Sequence, residues 1–358
     1  MDKLENKKAL LYHISEVEGD RFFYEEDAIL MEYKKQDQNK SSLAIKILTI
    51  FGGFSAMLAF LGFLLISGLY DSEIGMLIFG IIFIVSALIL DKIFNKLIID
   101  TFCVSLFIIG LVLLCIGLFE MRLNENTVAL IICAISFSSL FLTQNYILSF
   151  LAILIFNGSL LSLILINDYY NLIHLYIAIN TVLVTFVFLN EAKIIASHKY
   201  LSKIYNPIRI GSVFALLFGL IAIGKSYLIP ISPNQLWISS IIMILAIIYI
   251  VYSVIEIINV TAFKTKLLIY TLSALIMLLT LFSPATSGAI VIVLLSFLVN
   301  YKTGFVIGII SFIYFISQYY YDLTFTLLIK SIILMASGVV FLLFYILITK
   351  KLSSHEKV

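Results

Sequence analysis

The side chains that could carry chemistry in this sequence are few and scattered. Its four histidines lie far apart in the chain, at His13, His174, His198 and His355. Cys103, Cys115 and Cys133 lie inside apolar runs, with no CxxC pair and no histidine at ligand spacing. Metal ions require several such ligands close together. The sequence therefore predicts no catalytic residue, no metal site and no cofactor, and it predicts cysteines that pack as small buried hydrophobic groups.

Lys330 is the charged residue that we single out. It stands inside the last apolar run, one turn after Thr326 and beside Ser331. A charge inside a bilayer is costly and therefore indicates a functional role. Lys330 would pair with Asp322 or with an acidic group of a partner. The alternative is that it extends from the outer end of its helix to the lipid phosphates.

Three other polar side chains are secondary candidates. His174 follows Asp168 near the start of an apolar run, where it is either a titrating group or a hydrogen-bonded structural residue. Asn157 and Asn180 lie near the middle of neighbouring runs. Amides in that position form hydrogen bonds between helices or line a polar pathway. We favour the structural role for all three.

Composition indicates that membrane helices position these residues. Of the 358 residues, 62% are hydrophobic and 12% are charged, and the mean hydropathy is +1.12. A soluble domain has about 45–50% apolar and about 25% charged residues, so this chain has too little polar surface for water. The sequence predicts an all-α fold, namely a polytopic transmembrane helix bundle.

Twelve apolar runs, separated by short polar breaks, define the predicted spans. They are residues 43–69, 74–90, 97–119, 127–142, 146–166, 171–190, 208–229, 235–257, 267–282, 285–299, 304–319 and 326–349. Several are shorter than the ~20 residues that usually cross a hydrocarbon core. It therefore stays open whether 267–282, 285–299 and 304–319 all span fully. The alternatives are a re-entrant pair or one long kinked helix, and they concern above all the two runs around Pro284.

Basic residues beside these runs predict the orientation, because Lys and Arg are retained on the cytoplasmic side. With twelve spans and a cytoplasmic N-terminus, only Arg122, Lys225 and Lys330 of the 23 basic residues lie toward the outside. Both termini then lie in the cytoplasm. Aromatic residues fall at the predicted outer boundaries: Tyr70, Tyr169, Tyr170, Tyr227, Trp237 and Tyr319 to Tyr321.

The chain divides into three predicted parts. Residues 1–41 form a cytoplasmic segment, either a short amphipathic helical hairpin or a partly ordered leader. Residues 42–350 form the transmembrane bundle, and 351–358 form a cytoplasmic tail. Within the bundle, the basic stretch Glu191 to Pro207 is a candidate connection between two halves of six spans each.

Small residues at four-residue spacing predict close contacts between helices, because they let backbones approach. The pairs are Gly52–Ala56, Ser55–Ala59, Ala215–Gly219 and Gly304–Gly308. We interpret them as packing seams within the bundle.

The segment from Ile316 to Ser331 carries a resemblance to a known family. Its motif residues are Tyr319, Tyr320, Leu323, Thr326, Leu327, Lys330 and Ser331. Through this motif and the first two apolar runs, residues from about 40 to 350 resemble the bacterial membrane family called domain of unknown function 4401. The resemblance implies a multi-pass inner-membrane protein without an assigned activity. It also implies a frequent neighbour, a small membrane-anchored envelope protein with a Gly-Asp-Tyr motif.

These observations lead to two functional hypotheses. The first is a non-enzymatic component of an envelope membrane complex, which binds another envelope protein through its helices and the outer tyrosines Tyr319 to Tyr321. The alternative is a secondary transporter of a small solute, although no carboxylate lies at the centre of a run. An enzyme is least favoured, because the predicted outer loops are short. Nucleic-acid binding is disfavoured, because the basic residues lie beside spans and form no separate basic domain. Oligomeric state stays open.

Overall fold

The structure of the protein is a computed structural model. It describes residues 3–18, 24–27, 29–31, 43–93, 97–143, 145–225, 228–278, 280–322, 326–329, 331–332, 335, 338–339, 342 and 346. Over these residues the regular elements are helices, and there is no β-strand. The predicted all-α class is therefore confirmed.

Thirteen α-helices lie in these ranges. They are α1 (Lys3–Glu18), α2 (Leu43–Ile66), α3 (Glu73–Ile93), α4 (Leu97–Glu120), α5 (Glu125–Leu142), α6 (Tyr146–Ile166), α7 (Leu172–Leu189), α8 (Glu191–Ser197), α9 (Lys199–Ile223), α10 (Leu236–Ile257), α11 (Phe263–Leu278), α12 (Pro284–Leu298) and α13 (Lys302–Asp322). Two short 3₁₀ helices cover Leu69–Asp71 and Pro233–Gln235.

Eight helices in the described part are long and apolar enough to cross a membrane. They are α3, α4 from Ile99, α5, α6, α7, α9, α10 and α13. Phe51–Ile66 of α2 and the whole of α12 are apolar but shorter. Each of the first eleven predicted runs overlaps one helix, whereas the run 326–349 is described only in part.

The connection predicted at Glu191 to Pro207 is not an extended linker. It consists of α8 and the first part of α9, and Pro207 lies inside α9. Proline removes one backbone N–H but is tolerated in membrane helices when neighbouring groups satisfy the freed carbonyl. At its other end α9 stops at Ile223, so residues 224–229 of the predicted run 208–229 lie beyond the helix.

The chain forms two compact units. Unit 1 comprises Met1–Leu163 and His198–Ile208, and unit 2 comprises Ile164–Ser197 and Arg209–Val358. The division differs from the predicted one between two halves of six spans, because α7 and α8 belong to unit 2. The order of the helices in the sequence does not reveal this division, because the chain leaves unit 1 after Leu163, returns to it at His198–Ile208 and then enters unit 2 again.

Unit 1 is organised by a backbone contact between α3 and α4. A Cβ added to Gly80 would lie 2.9 Å from the Gly110 carbonyl oxygen, and one added to Gly110 would lie 2.8 Å from the Gly80 oxygen. Ile84, Phe107 and Leu114 are buried in the same apolar core. Without a hydrophobic driving force between helices in lipid, such close approach supplies much of the packing energy.

The N-terminal segment contains one ion pair that links two of its parts. Lys8 Nζ lies 3.0 Å from Glu26 Oε1, and both side chains are about half exposed. Gly19 and Asp20, at the turn of the predicted hairpin, lie outside the described residues. The hairpin therefore stays a prediction.

Unit 2 is built around α12, which packs against α7, α10 and α13. The first half of its buried face is made largely of small residues, including Ser287, Gly288 and Ala289, and larger residues such as Ile292 and Leu295 follow. Gly308 of α13 faces Val293 so closely that an added Cβ would lie 3.1 Å from the Val293 backbone nitrogen. This contact confirms the predicted Gly304–Gly308 seam.

The other predicted seams have different outcomes. Ala215 and Gly219 face Tyr176 of α7, whose hydroxyl donates to the Ala215 carbonyl at 3.1 Å. That seam is confirmed. By contrast, nothing lies within 4 Å of a Cβ added to Gly52, so Gly52 forms no close contact in the structure.

Four helices end in the same left-handed turn. After α12, Asn300 has φ 52°, and the Tyr301 N–H donates to the Ser296 carbonyl at 2.8 Å. Arg122, Asp168 and Asn259 have positive φ in the corresponding positions. This ending satisfies carbonyls that the last helical turn leaves open. It also reverses the chain within a few residues, so short connections suffice.

We expect Gly110→Ala to destabilise unit 1, because the new methyl group would meet the Gly80 carbonyl and the Ile84 nitrogen at less than 3 Å. The cost should be about 1–3 kcal/mol. Thermal unfolding in detergent measures it, and Gly62→Ala is the matched control because its site is open. Equal melting temperatures for the two variants would contradict the proposed close contact.

Candidate functional site

Unit 2 contains a cleft of about 720 Å³ where α9 and α13 end and where α10 and α12 begin. We call it the α13 cleft. Its apolar lining comes from Ile223, Ile229, Ile231, Leu236, Phe282, Pro284, Ala285 and Phe315. Its polar lining comes from Lys225, Ser283, Gln318, Tyr319 and Asp322, together with Gly224. This mixture of surfaces suits a ligand that has both apolar and charged parts.

Gln318 joins the two helices that end at the cleft. Its side-chain Nε2 donates to the Gly224 carbonyl at 2.8 Å. The Oε1 atom of the same amide is buried and has no hydrogen-bond partner. An amide oxygen accepts two hydrogen bonds, and buried acceptors are normally satisfied. Gln318 therefore offers an unused acceptor beside the cleft.

Two opposite charges line the cleft without neutralising each other. Lys225 is half-buried and Asp322 is exposed. In the described part of the chain neither residue forms an ion pair. Among the described residues both charges thus lack an ion-pair partner, and the cleft is suited to binding a molecule that carries an anionic group and a cationic group.

The structure brings the motif residue Tyr319 and the secondary candidate Asp322 to this cleft. Tyr319, which is 41% exposed, and Asp322 both line it. Tyr320 is half-buried, and its ring centroid lies 5.7 Å from that of Tyr321. The C-terminal end of α13 thus combines cleft residues with an aromatic pair.

The remainder of the motif follows α13. Thr326 Oγ1 accepts from the Ile329 N–H at 3.5 Å, and Ser331 Oγ donates to the Leu328 carbonyl at 2.8 Å. Leu327 is 79% exposed. Leu323 and Lys330 lie outside the described residues. The pairing of Lys330 with Asp322 therefore stays a prediction.

His174 is a buried, hydrogen-bonded residue between α7 and α10. Its Nδ1 lies 2.7 Å from Ser239 Oγ, and the residue is 7% exposed. Its Nε2 and the nearby Ser240 Oγ are buried without a hydrogen-bond partner. The contact with Ser239 gives His174 a role in holding α7 against α10.

Asn157 and Asn180 are bound to their own helices. Asn157 Nδ2 donates to the Ile153 carbonyl and Asn180 Nδ2 donates to the Tyr176 carbonyl, each at 3.0 Å. We expected these amides to bond between helices, but these contacts run four residues back along the same helix. A carbonyl one turn earlier is always within reach of a short amide side chain, so local bonding is the simplest solution in lipid.

A buried arginine in unit 2 forms a clamp that the sequence did not reveal. Arg209 Nη1 lies 3.2 Å from Glu191 Oε2, and only 9% of the arginine side chain is exposed. Its guanidinium carbon lies 3.7 Å from the centroid of the Tyr301 ring and 5.9 Å from that of Phe188. Charge and ring contacts together tie α9 to the ends of α7 and α12.

Unit 1 contains a second buried charge. Asp91 is 8% exposed, and its Oδ2 accepts from Thr143 Oγ1 at 2.7 Å. The Asn145 N–H donates to the same threonine oxygen at 3.1 Å, and the Asn145 side chain bonds to Asp100. Asp91 and Asp100 lie close enough for their charges to repel. The arrangement joins the end of α3, the start of α4 and the α5–α6 connection.

Some sequence signals could have pointed to these residues. Arg209 is one of three arginines in the chain, and it stands at the start of a predicted apolar run. Arginine is preferred to lysine where a charge is paired and stacked on rings. Asp91 lies at the end of a predicted run and carries no such signal. Gln318 is a polar residue inside the predicted apolar run 304–319, and a polar residue in such a run indicates a specific structural role.

These features define the class of the protein. Eight of its described helices are long and apolar enough to cross a membrane, and the buried charges Asp91 and Arg209 have polar partners, as expected for a helical membrane protein. The family model described as Domain of unknown function (DUF4401) matches residues 42–351. The chain belongs to this family, as the sequence resemblance predicted.

Comparisons with curated proteins and with solved structures gave no match.

Replacing Arg209 by Gln should destabilise unit 2, because Glu191 would lose its ion pair and Tyr301 its stacked guanidinium. We expect a loss of about 1–3 kcal/mol. Thermal unfolding in detergent measures the effect. Arg122→Gln is the control, because Arg122 is exposed in the turn after α4. If the two variants unfold at the same temperature, the clamp contributes nothing measurable.

Proposed function

We propose that the protein is a non-enzymatic, multi-pass component of a bacterial inner membrane that binds a second, small membrane-anchored envelope protein. The observation that carries this proposal is the set of exposed residues at and after the end of α13. Tyr321 is 78% exposed beside the exposed Asp322, and Leu327 and Leu328, a few residues later in the chain, are 79% and 71% exposed. We call these four residues, Tyr321, Asp322, Leu327 and Leu328, the α13 edge.

The α13 edge has the composition that a membrane-anchored partner requires. Leucines can pack against a transmembrane helix, and an exposed tyrosine offers a rigid ring with a hydroxyl group. Asp322 can accept hydrogen bonds from a polar segment just outside the bilayer. The family resemblance adds a small membrane-anchored neighbour as the class of partner.

The proposal includes an orientation with twelve spans and both termini in the cytoplasm. Under it, the ends of α9 and α13 and the starts of α10 and α12 face outward. The α13 cleft and the α13 edge then lie at the outer surface. The helix ends on the other side then lie in the cytoplasm. Basic residues stand at or next to several of these ends, at Lys92, Lys264 and Lys302, which agrees with the retention of basic residues on that side.

A binding role also agrees with the contacts of the polar candidates. His174 is bonded to Ser239, and Asn157 and Asn180 are bonded to their own helices. These contacts are structural. In the part of the chain that the structure describes, no three metal-ligating side chains come together. Binding, rather than bond-making chemistry, is therefore the role we propose.

Secondary transport has less support. Coupling to an ion gradient typically uses a charged residue near the middle of the membrane. The two buried charges described above, Asp91 and Arg209, are level with helix ends and already have polar partners. This placement favours a structural role for both.

Single-cysteine labelling tests the orientation on a background without Cys103, Cys115 and Cys133. A membrane-impermeant reagent on intact cells should label cysteines placed at Ser72, Asn124, Ser232 and Asp322, because these positions lie outside in the proposed orientation. Cysteines at Ser197, Thr265 and Ser354 should react only after permeabilisation. A reversed result at any position means that a run before it does not cross the membrane.

Photocross-linking tests the partner. With benzoylphenylalanine at Tyr321 or Leu327, we expect one small membrane protein to be captured in cells, because both positions belong to the α13 edge. The matched control is the same substitution at Tyr252, which is 50% exposed near the other end of α10. Recovery of the chain alone, or of the same products from Tyr252, would refute the proposed partner surface.

A further inference from the structure

We infer that the α13 cleft binds a zwitterionic phospholipid whose headgroup ends in a primary amine, with the phosphate at Lys225 and the ammonium group at Asp322. This inference goes beyond the proposed partner binding, and it shares only Asp322 with the α13 edge. It depends on residues that line one cleft of unit 2.

The apolar lining accounts for the acyl part of such a ligand. Ile223, Leu236 and Phe315 line the cleft at the ends of three helices that are long enough to cross a membrane. The volume of about 720 Å³ is in the range of sites for small organic ligands. A lipid can therefore place the start of its acyl chains against this lining and continue into the bilayer.

The phosphate position follows from Lys225 and the start of α12. Lys225 is half-buried, and a lysine ammonium group binds phosphate as a compact charge. Ser283, Pro284 and Ala285, at the first turn of α12, line the same cleft. A helix N-terminus carries partial positive charge and free N–H groups, which favour an anion. Two independent features therefore favour negative charge here.

The amine position follows from Asp322 and the end of α13. Asp322 is the last residue of α13, and the C-terminal end of a helix carries partial negative charge. An ionised carboxylate only accepts hydrogen bonds, so it selects a cation that donates them. A primary ammonium group has three N–H donors, whereas a quaternary choline group has none. The site should therefore prefer ethanolamine to choline headgroups.

Gln318 adds a second acceptor. Its Oε1 atom is buried and has no partner, while its Nε2 is held by the Gly224 carbonyl. The amide is thus fixed in one orientation, with its oxygen free to accept from a ligand N–H or from a water molecule. An anionic lipid without an amine would leave the negative charge of Asp322 without a positive partner.

Native mass spectrometry of the full chain in mild detergent tests the inference. The probes are dioleoyl phosphatidylethanolamine, phosphatidylcholine and phosphatidylglycerol, at equal concentration. We expect binding of the ethanolamine lipid to be roughly tenfold tighter than that of the other two, since one charge-assisted hydrogen bond contributes about this much. Equal binding of all three lipids would overturn the inference.

Matched variants assign the contacts. Lys225→Gln should weaken binding of the ethanolamine lipid, and Lys225→Arg should restore it. Asp322→Asn should remove the preference for ethanolamine over choline, whereas Asp322→Glu should keep it. Two control substitutions lie away from the cleft, namely Glu256→Gln near the C-terminal end of α10 and Lys264→Gln at the start of α11. Both should behave as wild type. If Lys225→Gln and Asp322→Asn retain full selectivity, the lipid is bound elsewhere.

Two controls complete the experiment. Soluble glycerophosphoethanolamine has the headgroup without acyl chains, so it should not compete at the lipid's concentration. Effective competition would assign the cleft to a soluble ligand and overturn the lipid proposal. The chain is purified alone for these measurements, so a negative result does not contradict the partner proposal. Likewise, failure to cross-link a partner does not contradict the lipid proposal.

Discussion

Hydrocarbon supplies no hydrogen-bond partners, and this constraint shapes the whole protein. It drives the backbone into helices, which satisfy their own N–H and carbonyl groups. Side chains follow the same rule locally: Ser136, Asn157 and Thr181 each donate to the carbonyl four residues earlier. Most polar residues in the spans are therefore satisfied within one helix, and they impose little on how helices meet. The packing is specified by a few contacts that do cross between helices.

Those contacts differ in kind between the two units. In unit 1 two glycines bring the backbones of α3 and α4 together, and Asp91 binds Thr143 near the helix ends. In unit 2 the small residues of α12 allow close packing, while Arg209 is held between Glu191 and Tyr301. Each buried charge is placed where a helix ends, because there its partners are polar side chains and open backbone groups.

The end of α13 has two functional surfaces in our proposal. Its exposed side, with Tyr321 and the leucines that follow, forms the edge for a protein partner. Its other residues, with Gln318 and Asp322, line a cleft that also contains Lys225. A bound phospholipid would stand next to the partner surface, because Asp322 belongs to both. Lipid composition would then affect partner binding, because the bound headgroup would change the electrostatics beside the partner surface.

Hydropathy determined the class of the protein and the positions of eleven helices, and the spacing of small residues predicted two of the seams, because these depend on local composition and spacing. The motif near the C-terminus also led to Tyr319, and the search for a partner of Lys330 led to Asp322; both residues line the cleft. Tertiary structure decided the rest. Lys225 is far in sequence from Gln318 and Asp322, and they meet only because α9 and α13 end side by side. Likewise, the Gly80–Gly110 contact, the Arg209 clamp and the discontinuous units depend on which helices pack together, and nonlocal packing leaves no periodic signal in the sequence.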